Sequence, residues 1–203
     1  MYPLFESVCI ENSQIKNEEY HEARFNKSYI QQYKTHPTYT LFDGIHLTNL
    51  DNNFKYKLRI GYKQHGTRYS ISLYENSIPT SLKLVNDDTI SYSLKRNNRK
   101  KLNQLFNQKG NSEDVLIVKN GLITDASYSN ILFTDGKLIT TPSTPLLQGT
   151  CRARLLEENK ITEAHILESD IQNFKSFQLV NALNDFDDTR WVPISNIQRV
   201  ISK

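Results

Sequence analysis

The stretch from Asp125 to Arg152, "DASYSNILFTDGKLITTPSTPLLQGTCR", holds residue types that can bind a flat, charged ligand. Asp125 stands at the end of a short apolar segment, and small residues follow it. Small side chains let the backbone approach such a ligand, and a carboxylate here could pair with a protonated ring nitrogen. Aspartate is also common in ordinary Asx-type turns. The pattern alone leaves both interpretations open.

The end of this stretch, "LLQGTCR", places Gly149 and Thr150 where a helix is predicted to begin. A glycine there leaves the first backbone N–H groups directed at an anion, and Thr150 adds a hydroxyl, which suits a phosphate. An ordinary capped helix is the commoner structure for such a sequence. A second polar turn, "LVNALND" (179–185), follows an apolar strand and can also offer N–H groups and an amide side chain.

The basic run "SYSLKRNNRKKL" (91–102) has three interpretations. A solvated helix face is the simplest for a charge run. A nucleic-acid patch is weaker, because no aromatic residue interleaves the basic ones to stack bases. The third concerns Lys95, which follows Leu94 at a predicted strand–helix junction. Neighbouring cations and partial burial lower the pKa of a lysine, as Schiff-base chemistry requires.

Composition excludes several other classes of protein. The net charge of the 203 residues is +3, too weakly basic to indicate nucleic-acid binding by itself. The five histidines show no metal-binding spacing, and Cys9 and Cys151 suit neither a disulfide framework nor a metal pair, so we predict no metal. No signal peptide and no membrane-spanning apolar run are visible, which predicts a cytoplasmic protein without a membrane partner.

The elements that must position these residues mix helices and strands in both halves of the chain. Helical spacing is found in "NEEYHEARFNKSYIQQY" and in 97–110, and another helix is predicted from "GTCRARLLEENK". Alternation around "KQHG" predicts a hairpin over 56–75, and Asn-Gly and Asp-Gly turns follow "DVLIVK" and "NILFT". The mixture predicts an α+β fold, with an N-terminal lobe at 1–85, a connection at 86–91 and a C-terminal lobe at 92–203.

Taken in order, the segments resemble the class IV aminotransferases, the fold-type IV pyridoxal-phosphate enzymes. The resemblance rests on "LFESVCIENSQIKN…YHEARFNKS", "SLKRNNR", "DVLIVKNGLITDASYSNILF", "TTPSTPLLQGTCRARLLE" and "LVNALND…WVPI", and it covers nearly the whole chain. It implies two small α/β lobes with the cofactor site between them, pyridoxal 5′-phosphate as cofactor, and a homodimer.

The resemblance also implies roles for individual residues. Lys95 matches the lysine that holds the cofactor as a Schiff base, and Arg24 matches the arginine that grips its phosphate. Asp125 falls where the family usually has a glutamate facing the pyridine nitrogen. The remaining cofactor-binding positions lie at the predicted helix start and in the second polar turn: Gly149, Thr150, Cys151, Asn181 and Ala182.

Three departures from the family pattern stand out. Asp125 is one methylene shorter than glutamate, so the ring would have to sit closer or a water would have to bridge. Almost nothing precedes "LFE", where the family usually has an extra strand or two. Lys100, with Arg99 beside it, stands where branched-chain transaminases place a tyrosine.

Within the family, "LKRNNR" and "LVNAL" resemble the aminodeoxychorismate lyases. That implies conversion of 4-amino-4-deoxychorismate to 4-aminobenzoate and pyruvate, a step towards folate. An amino-acid transaminase of the branched-chain or D-amino acid type is the alternative, with Lys63, His65 and Arg68 as candidates to bind a substrate carboxylate. An inactive shortened relative and a basic nucleic-acid-binding module rank below these. A small-molecule amino substrate and no nucleic-acid partner are therefore expected.

Overall fold

The computed structural model describes residues 2–75 and 77–198, and these form two compact units. Of the described residues, the first unit contains 2–75 together with Leu94–Asn98, and the second contains Ser77–Ser93 and 99–198. The division differs from the lobes predicted at 1–85 and 92–203. Residues 82–86 pair within the second unit, while the short segment 94–98 belongs to the first.

The first unit is an antiparallel sheet with one long helix. Its strands follow the order β2-β1-β3-β4, and helix α1 connects β2 to β3. Hydrophobic residues of alternate strand positions and of one helix face form its core, including Val8, Phe25, Leu58 and Tyr62. The elements are β1 (Leu4–Glu11), β2 (Gln14–Ile15), α1 (Glu18–Tyr33), β3 (Tyr56–Lys63) and β4 (Gly66–Leu73).

The segment Leu94–Asn98 runs along β1 and so fixes the position of Lys95. The Phe5 N–H donates to the Lys95 carbonyl at 3.1 Å, and the Asn97 N–H donates to the Pro3 carbonyl at 2.9 Å. Leu94 is 4% exposed and belongs to the core of the first unit. The lysine therefore lies on a backbone held from both sides by hydrogen bonds and packing.

The second unit contains two sheets and two short helices. One sheet has the order β13-β5-β6-β7 and the other β10-β9-β8-β11-β12. Strands β5 and β6 pair in parallel, whereas β7, β8 and β11 take part in antiparallel pairs. The elements are β5 (Leu82–Asn86), α2 (Lys100–Phe106), β6 (Asp114–Lys119), β7 (Leu122–Ala126), β8 (Asn130–Thr134), β9 (Ile139–Pro142), α3 (Thr150–Glu157), β10 (Thr162–Ala164), β11 (Ser176–Val180), β12 (Val192–Pro193) and β13 (Ile197–Gln198).

The predicted α+β class is confirmed, as are the hairpin formed by β3 and β4 and the turns that follow β6 and β8. The helix predicted over 97–110 is too long, because α2 spans only Lys100–Phe106. Its predicted start is wrong for a physical reason: the backbone of Asn97 is bonded to Pro3, which holds that part of the chain extended.

Candidate active site

The predicted site residues fall into the two units, and each unit assembles its own group. Lys95 and Arg24 belong to the first unit. The second unit contains the other predicted positions: Asp125, Gly149, Thr150, Cys151, Asn181 and Ala182.

In the first unit, Arg24 on α1 is bound to a buried carboxylate of β1. Its Nε donates to Glu6 Oε1 at 2.9 Å, and its Nη2 pairs with Oε2. His21, one turn earlier on the helix, places Nδ1 2.8 Å from Glu6 Oε2. Glu6 and His21 have no exposed surface. Sequence reasoning missed Glu6 and His21, although both lie in the motifs "LFESVCI" and "YHEAR" that carried the resemblance.

Burial by itself would raise the pKa of Glu6, but Arg24 and His21 lower it to about 2. Burial lowers the pKa of His21, although the Glu6 carboxylate opposes that shift. At neutral pH the cluster therefore contains an ionised Glu6, a charged Arg24 and a neutral His21. A neutral imidazole that bonds a carboxylate through Nδ1 carries its proton on Nδ1.

Lys95 presents its amine next to an aromatic ring of β1. Its Nζ lies 5.2 Å from the centroid of the Phe5 ring, and the residue is half-buried. Its charge is also close enough to His21 to lower the pKa of that imidazole. The first unit thus brings Lys95, Arg24, His21 and Glu6 into one electrostatic group.

In the second unit, Asp125 lies near the end of β7 with only 5% of its surface exposed. Its Oδ1 accepts from the Asn130 side-chain amide at 2.7 Å, and its Oδ2 accepts from the Leu147 N–H at 2.9 Å. Burial raises the pKa of Asp125 to about 6, although these donors and the charge of Arg152 lower it. The prediction of a carboxylate at the end of a strand is confirmed, and its orientation is fixed.

Asn130 is a second residue that sequence reasoning missed. It is 6% exposed at the start of β8, and its Nδ2 also donates to the Leu147 carbonyl at 3.0 Å. The signal was present, since Asn130 is the last residue of "DASYSN". The two residues lie five positions apart, and the backbone between them closes a turn through the Ala126 N–H and the Ser129 carbonyl at 3.0 Å.

Position 149 requires a glycine because a neighbouring side chain leaves no room for a Cβ atom. Its φ of −71° and ψ of 144° are accessible to any residue. A Cβ at this position would lie 1.9 Å from Asn130 Oδ1, which no real contact permits. The close approach of the Asn130 side chain therefore accounts for the glycine before the helix.

Helix α3 begins directly after Gly149, and this N-cap residue has no side chain with which to cap the first turn. Thr150 is buried there, and the first helical hydrogen bond runs from the Ala153 N–H to the Gly149 carbonyl at 2.9 Å. The first-turn N–H groups of an eight-residue helix are therefore of the kind that binds anions.

The thiol of Cys151 does not take part in anion binding at the start of α3. Its Sγ donates to Asp185 Oδ1 at 3.3 Å, and burial raises the pKa of the thiol to about 12. The Cys151 side chain is thus a neutral, buried group, and only its backbone N–H suits a phosphate.

Asn181 shapes the second polar turn. Its Oδ1 accepts from the N–H groups of Leu183 and Asn184, both at 2.9 Å, and its Nδ2 donates to Ser129 Oγ at 2.9 Å. The turn "LVNAL" is therefore tied to the loop that follows Asp125, with half-buried Ala182 inside it.

Arg99 holds the same loop from another side. Its Nη2 donates to the Ser127 carbonyl at 2.7 Å, and its guanidinium lies 4.1 Å from the centroid of the Tyr128 ring. Sequence reasoning placed Arg99 beside the family's tyrosine position but gave it no contact. The loop after Asp125 is thus fixed by Arg99 and Asn181.

Known proteins resemble this chain over nearly its whole length. The sequence model of the family described as "Amino-transferase class IV" matches residues 3–197. The chain belongs to the class IV aminotransferase family. Members of this family are pyridoxal-phosphate-dependent enzymes, and the resemblance drawn from the motifs is confirmed.

Two relatives and one more distant structure illustrate the match. An "uncharacterized protein" of Haemophilus influenzae Rd is 40% identical over 91% of this chain and 99% of its own length. The crystal structure of a "putative 4-amino-4-deoxychorismate lyase" from Haemophilus somnus 129PT is 34% identical, covers 92% of this chain and 98% of its own, and superposes with a TM-score of 0.87. A "putative amino-acid aminotransferase" from Mesorhizobium loti has a TM-score of 0.74 at 18% identity over 97% of this chain and 99% of its own, and shares the fold.

The residues present fit the cofactor of this family. The second unit supplies a buried carboxylate that can hold the proton of a ring nitrogen, and a helix start after a glycine, whose backbone N–H groups suit a phosphate. The first unit supplies the amine of Lys95 and the guanidinium of Arg24.

The described residues contain neither a membrane-spanning helix nor a cluster of metal-binding side chains. No helix in 2–75 or 77–198 is long and apolar enough to cross a membrane. No three His, Cys, Asp or Glu side chains in that part of the chain come together as a metal site.

Proposed function

We propose that this chain is a 4-amino-4-deoxychorismate lyase that uses pyridoxal 5′-phosphate and releases 4-aminobenzoate and pyruvate, a step towards folate. The observation that carries the proposal is the similarity to the Haemophilus somnus protein, at 34% identity over 92% of this chain and a TM-score of 0.87. The motifs "LKRNNR" and "LVNAL" support the same choice within the family.

The proposed roles of the residues follow from the family resemblance, and the chemistry of each side chain suits its role. The amine of Lys95 would hold the cofactor, and as a free amine it would act as general base for the proton on the amine-bearing carbon of the substrate. Arg24 and the first-turn N–H groups of α3 bind the phosphate. Asp125 keeps the ring nitrogen protonated, so that the bound cofactor supplies an electron sink for the negative charge that develops on that carbon.

The overall conversion is an elimination in which every atom of the substrate is accounted for. The proton leaves the amine-bearing carbon, the ether bond to the three-carbon side chain breaks, and that side chain departs as enolpyruvate, which becomes pyruvate when its methylene carbon takes up the proton. The ring becomes aromatic, which drives the step. Lys95 holds the proton that moves, and no oxidant or second substrate is needed.

Cofactor binding tests the family-wide part of the proposal. Purified protein loaded with pyridoxal phosphate should show the visible absorbance of a lysine Schiff base, and Lys95→Ala should abolish it. Lys101→Ala is the matched control, because Lys101 lies on α2, pairs with Asp87 outside that helix and carries no proposed role. Absence of the band in the wild type, or its persistence in Lys95→Ala, would show that the proposal is wrong.

A product assay tests the lyase. Loaded enzyme should release pyruvate from 4-amino-4-deoxychorismate in equal amount to 4-aminobenzoate. The second candidate, an amino-acid transaminase, is favoured by the fold shared with the Mesorhizobium loti protein. It predicts instead that a simple amino acid converts the bound cofactor to its amine form. The exposed Lys63, His65 and Arg68 would then be its candidates for binding the substrate carboxylate.

Assembly and location complete the proposal. We propose a homodimer, as the family resemblance implies, and a cytoplasmic location; sedimentation equilibrium of the full chain measures the assembly directly. A monomer with full activity would contradict the proposed dimer without affecting the proposed reaction.

A further inference from the structure

The Asp125 carboxylate is held by donors from two different segments. Asn130 donates to Oδ1 from the start of β8, and Leu147 donates to Oδ2 from the loop that precedes α3. The backbone of Leu146 adds a further hydrogen bond to the carboxylate, so both of its oxygens are held by donors of the second unit. A carboxylate bonded in this way cannot rotate freely about its Cβ–Cγ bond.

Asn130 is itself fixed by three contacts. One of its amide hydrogens goes to Asp125 and the other to the Leu147 carbonyl, while its Oδ1 lies against the backbone of Gly149. Leu147 is thus bonded to both side chains, to Asp125 through its N–H and to Asn130 through its carbonyl. These contacts close a ring of hydrogen bonds around the carboxylate.

The absence of a side chain at position 149 makes this ring possible. A Cβ there would lie 1.9 Å from Asn130 Oδ1 and 3.1 Å from its Cγ, so any larger residue would displace the amide. Asn130 and Gly149 are therefore parts of one arrangement, although 18 residues lie between them in the sequence.

We infer that Asn130, accommodated by Gly149, is a positioning residue that aims the short Asp125 carboxylate at the ring nitrogen of the cofactor. The inference rests on the proposed function. It accounts for aspartate where the family usually has glutamate, because the shorter side chain is held rigidly by a ring of donors. A hydrogen bond to the ionised carboxylate also favours its charged form, which is the form that retains a proton on the ring nitrogen.

Asn130→Ala tests the donor. Loss of one hydrogen bond to a charged group should raise the proton affinity of Asp125 about tenfold or more. The carboxyl carbon of Asp125, followed by NMR in the cofactor-free protein, should therefore titrate at higher pH than in the wild type. In the loaded protein, the visible band of the Schiff base should shift and its own pH midpoint should move.

Gly149→Ala tests whether the missing side chain at position 149 is needed to position the Asn130 amide, and it keeps all the polar groups. It should displace the Asn130 amide and reproduce both shifts of Asn130→Ala, which a purely structural role for either residue would not produce. If one variant fails to fold, the other decides the question. Thr141→Val is the matched control: it removes the 2.9 Å bond from buried Thr141 to the Ile131 carbonyl in the same unit and should leave the Asp125 titration unchanged.

The two proposals can fail separately. A wild type that shows no Schiff-base absorbance contradicts the proposed function. An Asp125 titration that is the same in the wild type, Asn130→Ala and Gly149→Ala overturns the inference about Asn130, whatever the cofactor does. Equal shifts in those variants and in Thr141→Val would also overturn it, because any loss of buried bonding would then suffice. Arg152, the cation whose charge also lowers the pKa of Asp125, stays in place in all these variants.

Discussion

At the scale of single residues, Glu6 of the first unit is a fully buried carboxylate that needs partners for its charge. A carboxylate without exposed surface is stable only if its charge is paired and hydrogen-bonded, and Arg24 and His21 provide both. Removing one partner of such a group leaves the other charge buried and uncompensated. The cluster therefore stabilises the fold only when Glu6, Arg24 and His21 are all present.

Glu6→Gln should lower the free energy of unfolding by about 3–5 kcal/mol, because Arg24 would lose its buried counter-charge. Urea denaturation measures the change. Glu11→Gln on the same strand is the matched control, since its 3.5 Å pair with Lys55 is partly exposed and should cost at most about 1 kcal/mol. Equal losses in both variants would contradict the special role of Glu6.

The pH dependence of Glu6 follows from its lowered pKa. Its folded pKa of about 2 lies below the value of about 4.5 in the unfolded chain, so its contribution to stability is present above pH 4.5. That contribution should decline as the pH falls from about 4.5 to 2. Acid unfolding curves of the wild type should show this decline, and those of Glu6→Gln should show less of it.

Asp125 should behave in the opposite way. Its folded pKa of about 6 lies above its unfolded value of about 3.8, so the folded protein binds the proton more tightly. Without cofactor, the contribution of this group to stability should fall as the pH rises from about 4 to 6. The difference between wild type and Asp125→Asn, measured by urea denaturation at each pH, isolates this slope. A flat difference across that range would contradict the raised pKa.

At the scale of elements, the hairpin of β3 and β4 shows what local sequence determines. Alternating residues around "KQHG" predicted it, and Lys63 pairs with Gly66 at its end. Gly66 has a φ angle of +102°, which residues with a side chain rarely adopt, although a Cβ at this position would meet nothing within 4 Å. Gly66 is thus required by its backbone conformation, whereas Gly149 is required because a Cβ would clash with Asn130.

Gly66→Ala should therefore cost about 1 kcal/mol of folding free energy through backbone strain alone. Thermal or urea denaturation measures it. Ser70→Ala on the exposed side of β4 should change stability by less than about 0.5 kcal/mol. A neutral Gly66→Ala would show that the turn relaxes at no cost.

Strands and turns were predictable because their signals are local, and the contacts of the site were less so. Asp125 was found because it ends an apolar run, whereas its partner Leu147 reaches it only through the fold of β8 and β9. The start of α2 was mispredicted because the extended course of Leu94–Asn98 depends on bonds to β1, far away in the sequence. Local patterns carry no information about such pairings.

At the scale of the whole molecule, the first unit is assembled from two separate parts of the chain. Leu94 fills its core although most of that core comes from residues before 72. The position of Lys95 therefore depends on a packing interaction of its neighbour as well as on backbone hydrogen bonds.

Leu94→Ala should destabilise the full chain by about 2–5 kcal/mol, as expected for a buried leucine. The Phe5 amide, which donates to the Lys95 carbonyl, should lose protection from hydrogen exchange more than amides of the second unit do. Leu138→Ala, at a leucine that is 63% exposed, should change neither quantity appreciably. Uniform loss of protection across the chain would contradict a local effect.

The same discontinuity sets an order of events during synthesis. Domains tend to fold as units while the chain emerges from the ribosome. Residues 2–75 of the first unit emerge before the segment Leu94–Asn98 that lies along β1, so the first unit is complete only after Asn98 has been translated. Lys95 lies in that last segment. The nascent chain therefore acquires the amine proposed to hold the cofactor in the same step that completes the first unit, and not before.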